Sequence, residues 1–109
     1  MTETGDPFID QLRRQASDGA FRLTLHMHQE MVEEAISLDD VLDAVASGTV
    51  LEDYPDHRRG GCCLVAGVTR AGRPLHLICS TTLPVLVMIT VYEPKPPKWL
   101  TPTKRGQPT

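Results

Sequence analysis

Residues 62–93 read CCLVAGVTRAGRPLHLICSTTLPVLVMITVYE, and this stretch decides the fold. It holds three apolar runs, CCLVAGVT (62–69), PLHLICS (74–80) and VLVMITVYE (85–93), parted by the turns RAGR and STTLP. Short aliphatic and β-branched runs bounded by Gly- and Pro-containing turns read as strands in sequential hairpins. The first and third are apolar on both faces, so they are expected inside a sheet and not at its edges. A fourth strand, TVLEDY (49–54), precedes them across the loop PDHRRGG (55–61).

Upstream of residue 49 the apolar period changes from that of a strand to that of a helix. Asp6-Pro7 is an N-cap followed by proline at the first helical position; Phe8, Ile9, Leu12 and Ala16 follow at helical spacing, and Gly19 ends the segment. Thr24 can cap a second helix, with Leu25, His28, Val32 and Ala35 as its expected apolar stripe. Ser37-Leu38-Asp39-Asp40 resembles a capping box. Leu38, Val41, Leu42, Val45 and Ala46 then form a third stripe that ends at Gly48. The expected fold is α+β, with N-terminal helices packed on a four-stranded antiparallel sheet in one domain over residues 1–93. The segment PKPPKWLTPTKRGQPT (94–109) has three prolines in its first four residues and is expected to be an extended basic tail. Three short helices cannot easily cover both faces of a sheet. The other face is expected to need a partner, a second copy of the chain included, or to form a shallow cleft.

A chain of 109 residues can bury one modest core, and 40% hydrophobic residues with a mean hydropathy of −0.19 are globular values. No apolar run approaches the roughly 18 residues of a membrane helix. The start, MTETGDPFID, lacks the basic and apolar regions of a signal peptide, so a cytoplasmic location is expected. The three cysteines fit a reducing compartment as buried small hydrophobes, and no C-x-x-C pair marks a metal site. Charge is sorted by position. Residues 1–56 hold thirteen of the 14 acidic and three of the 11 basic residues, a net −10. Residues 57–109 hold the other eight basic residues and Glu93, a net +7. A basic half is the electrostatic footprint expected for a polyanion, most often nucleic acid.

Alternation along PLHLICS puts His76, Ile78 and Ser80 on one face of their strand, with Arg73 just before it. Thr90 and Tyr92 share a face of the last strand. A histidine in such a polar patch on a rigid sheet could act as general acid or base near neutral pH; a satisfied core histidine has the same sequence signature. Arg58 and Arg59, beside Gly60 and Gly61, suit phosphate oxygens without forming a P-loop. Lys95, Lys98, Lys104 and Arg105 around Trp99 combine cations with a stacking surface, a pattern suited to single-stranded RNA and equally that of a frayed tail. His26, Glu30 and Glu34 fall on one strip of the second helix and read as a solvated face.

Several of these residues together carry a resemblance. His26…Met31…Glu34-Ala35-Ile36-Ser37, Gly48-Thr49-Val50-Leu51-Glu52-Asp53-Tyr54-Pro55, Gly72-Arg73-Pro74-Leu75-His76, and Ile89-Thr90-Val91-Tyr92-Glu93-Pro94 with Trp99 resemble the bacterial family called domain of unknown function 4258. The resemblance covers about residues 21–105. It implies a fold of the RelE and barnase kind, and a metal-independent ribonuclease acting as the toxin of a type II toxin–antitoxin pair. Its implied partners are RNA and a small antitoxin, in some members one with a YgiT-type zinc finger; no cofactor is implied. The candidate catalytic residues are then His76, with His26 or Tyr92 as second proton-transfer group, and Arg73. Arg58, Arg59, Lys95, Lys98 and Trp99 would hold the RNA. The alternative is a non-enzymatic RNA- or protein-binding module of the same fold. One departure stands out. The family pattern on the second helix resembles His-x-x-x-Arg-Met-x-x-Arg-Gly-Ile, whereas this chain has Glu30, Glu34 and Ala35 in place of both arginines and the glycine.

Overall fold

The computed structural model describes residues 7–54, 61–80, 85–96 and 98–106. The elements run α1 (Pro7–Ser17), β1 (Phe21–Leu23), α2 (Leu25–Glu34), α3 (Leu38–Ser47), β2 (Thr49–Tyr54), β3 (Cys62–Val68), β4 (Pro74–Ser80), β5 (Leu86–Tyr92), β6 (Trp99–Thr101) and β7 (Lys104–Arg105). The caps read from sequence at Thr24 and Ser37 are present, and Asp6, read as the cap of α1, lies outside the described residues. Thr24 Oγ1 accepts from the Met27 N–H at 3.1 Å, and Ser37 and Asp40 bond reciprocally as a capping box, each at 3.0 Å.

The architecture is α+β, but the sheet is five-stranded and mixed, in the order β1-β5-β4-β3-β2. β2 to β5 form the expected antiparallel meander, with β3 and β5 both inside the sheet. The expected four-stranded antiparallel sheet is corrected by β1, which pairs parallel to β5 through Phe21–Leu86 and Leu23–Met88. Three residues are too few to show a period of two, so this strand was hidden beside the Thr24 cap.

Helices cover one face of the sheet. Val50, Val65, Leu77 and Val91 form a cross-strand row there, and Leu12, Met27, Val41, Ala44 and Val45 pack on that layer. α3 lies closest to β3 at Gly67. A Cβ on that glycine would lie 1.9 Å from the Ala44 carbonyl oxygen.

α2 is turned opposite to the expected stripe. Leu25 is 74% and Val32 83% exposed, while Met27 is buried. The cause is the position of α2. It runs beside β5 beyond the end of β1, where the strand's N–H groups have lost their neighbour. Glu30 Oε1 accepts from the Val91 N–H at 3.0 Å and from Thr90 Oγ1 at 2.9 Å, and Glu34 Oε1 accepts from the Glu93 N–H at 3.2 Å. An exposed strand edge needs hydrogen-bond partners as much as apolar cover. The strip read as solvated is therefore engaged with the sheet through both glutamates.

α2 ends at Ala35, whose φ of 55° is the left-handed region that favours glycine. The Ile36 N–H closes the turn onto the Met31 carbonyl at 2.9 Å. An alanine there carries a Cβ penalty that glycine avoids. Ala35→Gly is expected to raise the stability by about 1 kcal/mol, read as a higher urea midpoint at unchanged slope. An unchanged or lower midpoint would contradict the strained cap.

The expected extended tail is corrected over residues 99–105. β6 and β7 pair as a small hairpin, with Pro102 in its turn and the Gly106 N–H bonded to the Lys98 carbonyl at 2.8 Å. Proline is excluded from central strands but not from a turn. The hairpin packs on the face of the sheet that the helices leave open, and Trp99 is only 2% exposed. Among the described residues, no helix is long and apolar enough to cross a membrane.

Candidate functional site

Cross-strand rows define the face away from the helices. One row is Ala66, His76 and Tyr92; the next is Glu52, Leu64, Ile78 and Thr90. Two bulges set these rows. Leu51 is the extra residue in β2 and Ile89 the extra residue in β5. The second bulge lets Met88 and Val91 both point into the core while Thr90 and Tyr92 stay on the opposite face.

His76 is the centre of this face and is wholly buried. Its Nε2 lies 2.5 Å from the Pro102 carbonyl oxygen, and its Nδ1 3.1 Å from the Tyr92 hydroxyl. A carbonyl only accepts, so Nε2 carries the proton. In the neutral ring Nδ1 then accepts from Tyr92. Burial lowers the His76 pKa, against smaller opposing pulls from the Pro102 carbonyl and Glu52. Burial likewise pushes the Tyr92 hydroxyl up, against a smaller pull from the Trp99 indole. The pair is thus a neutral base beside a protonated acid. Trp99 stands perpendicular to the imidazole with ring centroids 4.4 Å apart.

A second cluster holds the hairpin down. Arg105 donates from Nε and Nη2 to the two oxygens of Glu52, at 2.6 and 2.7 Å, and its guanidinium lies 4.7 Å over the Trp99 ring. The Tyr54 hydroxyl donates to the same carboxylate. The Arg105 guanidinium holds Glu52 down at about 2, and burial together with Glu52 pushes Tyr54 up to about 12. Lys98 Nζ is 5.9 Å over the Tyr92 ring.

Of the residues singled out from sequence, the structure brings His76, Tyr92, Trp99 and Lys98 together. Arg73 is elsewhere. It bonds the Glu34 and Ala35 carbonyls at 2.8 and 3.0 Å and the Glu93 carboxylate at 2.8 Å, and so anchors the C-terminus of α2. His26 is exposed on α2, 3.4 Å from Glu30, and touches neither His76 nor Tyr92 among the described residues. Lys95 is exposed just before the hairpin. Trp99 is covered on this face and presents no open stacking surface. Arg58 and Arg59 lie outside the described residues. Glu52 and Tyr54 were missed in the sequence, although their i, i+2 spacing puts both on one face of a strand. Nothing in the sequence signals that Arg105 closes on Glu52.

Acid should loosen this arrangement. Glu52 has a depressed pKa, so its stabilising contribution is present above its ordinary value of 4.5 and is lost as the pH falls toward 2. The lowered pKa of His76 acts in the same sense, its contribution being full above 6.5 and lost below it. Trp99 is the chain's one tryptophan and reports on this contact. Its emission is expected to shift to the red as pH falls from 6.5 toward 2, before loss of far-ultraviolet dichroism. Emission and dichroism changing together would contradict a separately held hairpin.

Residues 23–93 match the sequence model of the family described as Domain of unknown function (DUF4258). The chain belongs to this family. No curated protein and no solved structure gives a significant match. The DUF4258 match runs from the last residue of β1 to just past the end of β5 and includes His76, Tyr92, Glu52 and Arg73; Trp99 and Arg105 of the hairpin fall outside it. Within the matched residues, Glu30 and Glu34 serve the edge of β5.

Proposed function

We propose that this DUF4258 protein is a metal-independent endoribonuclease of the RelE and barnase kind, acting as the toxin of a type II toxin–antitoxin pair. The observation that carries this reading is the direct hydrogen bond between His76 and Tyr92, neighbours across two strands under a basic hairpin. Cleavage of RNA by its own 2′-hydroxyl needs a base for that hydroxyl, an acid for the leaving 5′ oxygen and cations for the crowded phosphate. With Pro102 displaced, the proton of His76 can reside on Nδ1 and donate to the Tyr92 oxygen, leaving the Nε2 lone pair to take the 2′-hydroxyl proton. Tyr92 gives its proton to the leaving oxygen. The His76–Tyr92 hydrogen bond then returns a proton to Tyr92, and a 2′,3′-cyclic phosphate remains on the RNA. Among the described residues, Lys98 over the Tyr92 ring and Arg105 over the Trp99 ring are cations beside the pair.

A second reading rests on a specific observation. His76 is fully buried with both ring nitrogens bonded, as in a structural histidine of a non-enzymatic binding module. Both readings expect RNA binding whose affinity falls steeply with salt, because phosphate contacts release counterions. The test is incubation of the purified protein with single-stranded RNA. Salt-sensitive binding followed by cleavage supports the enzyme, salt-sensitive binding without cleavage supports the module, and no binding removes both RNA readings.

A further inference from the structure

We propose that residues 98–106 are a lid over the His76–Tyr92 pair, closed here by the Glu52–Arg105 ion pair, and that a phosphate of single-stranded RNA opens it by taking Arg105 from Glu52. The opening ligand rests on the ribonuclease reading above; the lid itself rests on geometry. β6 and β7 form a sheet of their own, separate from the main sheet. Side chains make the attachment: Trp99 as a plug on His76, the His76 bond to Pro102, and the Arg105 fork on Glu52. The outer surface of the hairpin is solvated, with Leu100 54% exposed and Lys98 and Lys104 exposed beside it.

Three features favour release. The Glu52–Arg105 pair is half open to solvent on the arginine side, where such pairs are worth roughly a factor of five or less. Among the described residues, the indole N–H of Trp99 is buried with only the Tyr92 hydroxyl to draw on it, outside good hydrogen-bond geometry, and it gains water when the hairpin lifts. A guanidinium fork fits phosphate oxygens as well as it fits a carboxylate, so an RNA phosphate competes directly for Arg105. Lys98 and Lys104, beside it, draw in the polyanion that carries the competitor. Opening exposes His76 at the moment the cation is delivered to the phosphate.

The experiment reads the lid without relying on catalysis. Site-resolved carbethoxylation of His76 and acrylamide quenching of Trp99 are measured on the wild type, Glu52→Gln, Glu52→Arg, Arg105→Glu and the swapped pair Glu52→Arg/Arg105→Glu. Binding of an uncleavable 2′-O-methyl uridine oligonucleotide is measured on the wild type, Glu52→Gln and Asp53→Asn, an exposed neighbour that makes the same charge change. In the wild type His76 should react about tenfold or more slowly than exposed His28. Each single variant should speed His76 modification roughly fivefold and expose Trp99, and the swapped pair should restore protection. Glu52→Gln should bind the oligonucleotide more tightly than Asp53→Asn, since a ligand that opens the lid binds best where opening is easier. His76 and Trp99 equally protected in every variant would overturn the lid. Equal oligonucleotide affinities for Glu52→Gln and Asp53→Asn would overturn opening by phosphate. Exposure of His76 in Glu52→Gln with no RNA cleavage in any variant would support the lid and remove the ribonuclease reading.

Discussion

Gly67→Val is expected to leave no folded protein. Gly67 sits in β3 under α3, where a Cβ would approach the Ala44 carbonyl oxygen to 1.9 Å and the Ala44 Cα to 2.9 Å. These atoms are helix backbone, which cannot turn aside as a flexible side chain would. α3 would have to lift by more than an ångström from a sheet on which Val41, Ala44 and Val45 are all but fully buried. Overfilling a well-packed core costs about 1–3 kcal/mol where side chains can adjust. With backbone as the obstacle the cost should exceed that, against a total stability of about 5–15 kcal/mol for a domain of this kind. Gly67→Ala should already lose about 3 kcal/mol, and valine, branched at Cβ, should leave the chain insoluble or without a cooperative unfolding transition. A soluble Gly67→Val protein with wild-type dichroism and melting would contradict the packing of α3 on β3.

His76→Gln is the second large effect, and it falls on activity. Glutamine can donate to the Pro102 carbonyl and accept from the Tyr92 hydroxyl, the two bonds that His76 makes, so the buried polar groups keep partners. The fold should persist with a modest change in melting temperature. Glutamine cannot take up a proton at neutral pH, so RNA cleavage should fall about 10²–10⁴-fold. Tyr92→Phe removes the other half of the pair and should move activity in the same direction. If His76 is structural, the variant instead melts lower while the folded fraction keeps its specific activity.

The meander of β2 to β5 was legible because its runs are apolar and its turns carry Gly and Pro. The caps at Thr24 and Ser37 were legible because they depend on near neighbours alone. The parallel edge strand was not, since Phe21–Leu23 is defined only by pairing with Leu86–Met88, more than sixty residues away. The orientation of α2 failed for a related reason. Its apolar stripe of Leu25 and Val32 faces solvent, because the free edge of β5 demands acceptors and Glu30 and Glu34 supply them. The facing of His76 and Tyr92 followed from alternation along two strands, whereas the closure of the hairpin did not. It depends on Arg105 reaching Glu52 across 53 residues, and no local pattern encodes such a contact.

The most direct test of a His76–Tyr92 acid–base pair is the chemistry of the cut end. The purified protein is incubated with a single-stranded RNA oligonucleotide in the presence of a chelator, and the fragments are weighed by mass spectrometry. Attack by the 2′-hydroxyl predicts fragments ending in 2′,3′-cyclic phosphate, present with the wild type and absent with His76→Gln. Intact RNA with the wild type, fragments ending in a free 3′-hydroxyl, or the same cyclic ends with His76→Gln would contradict it.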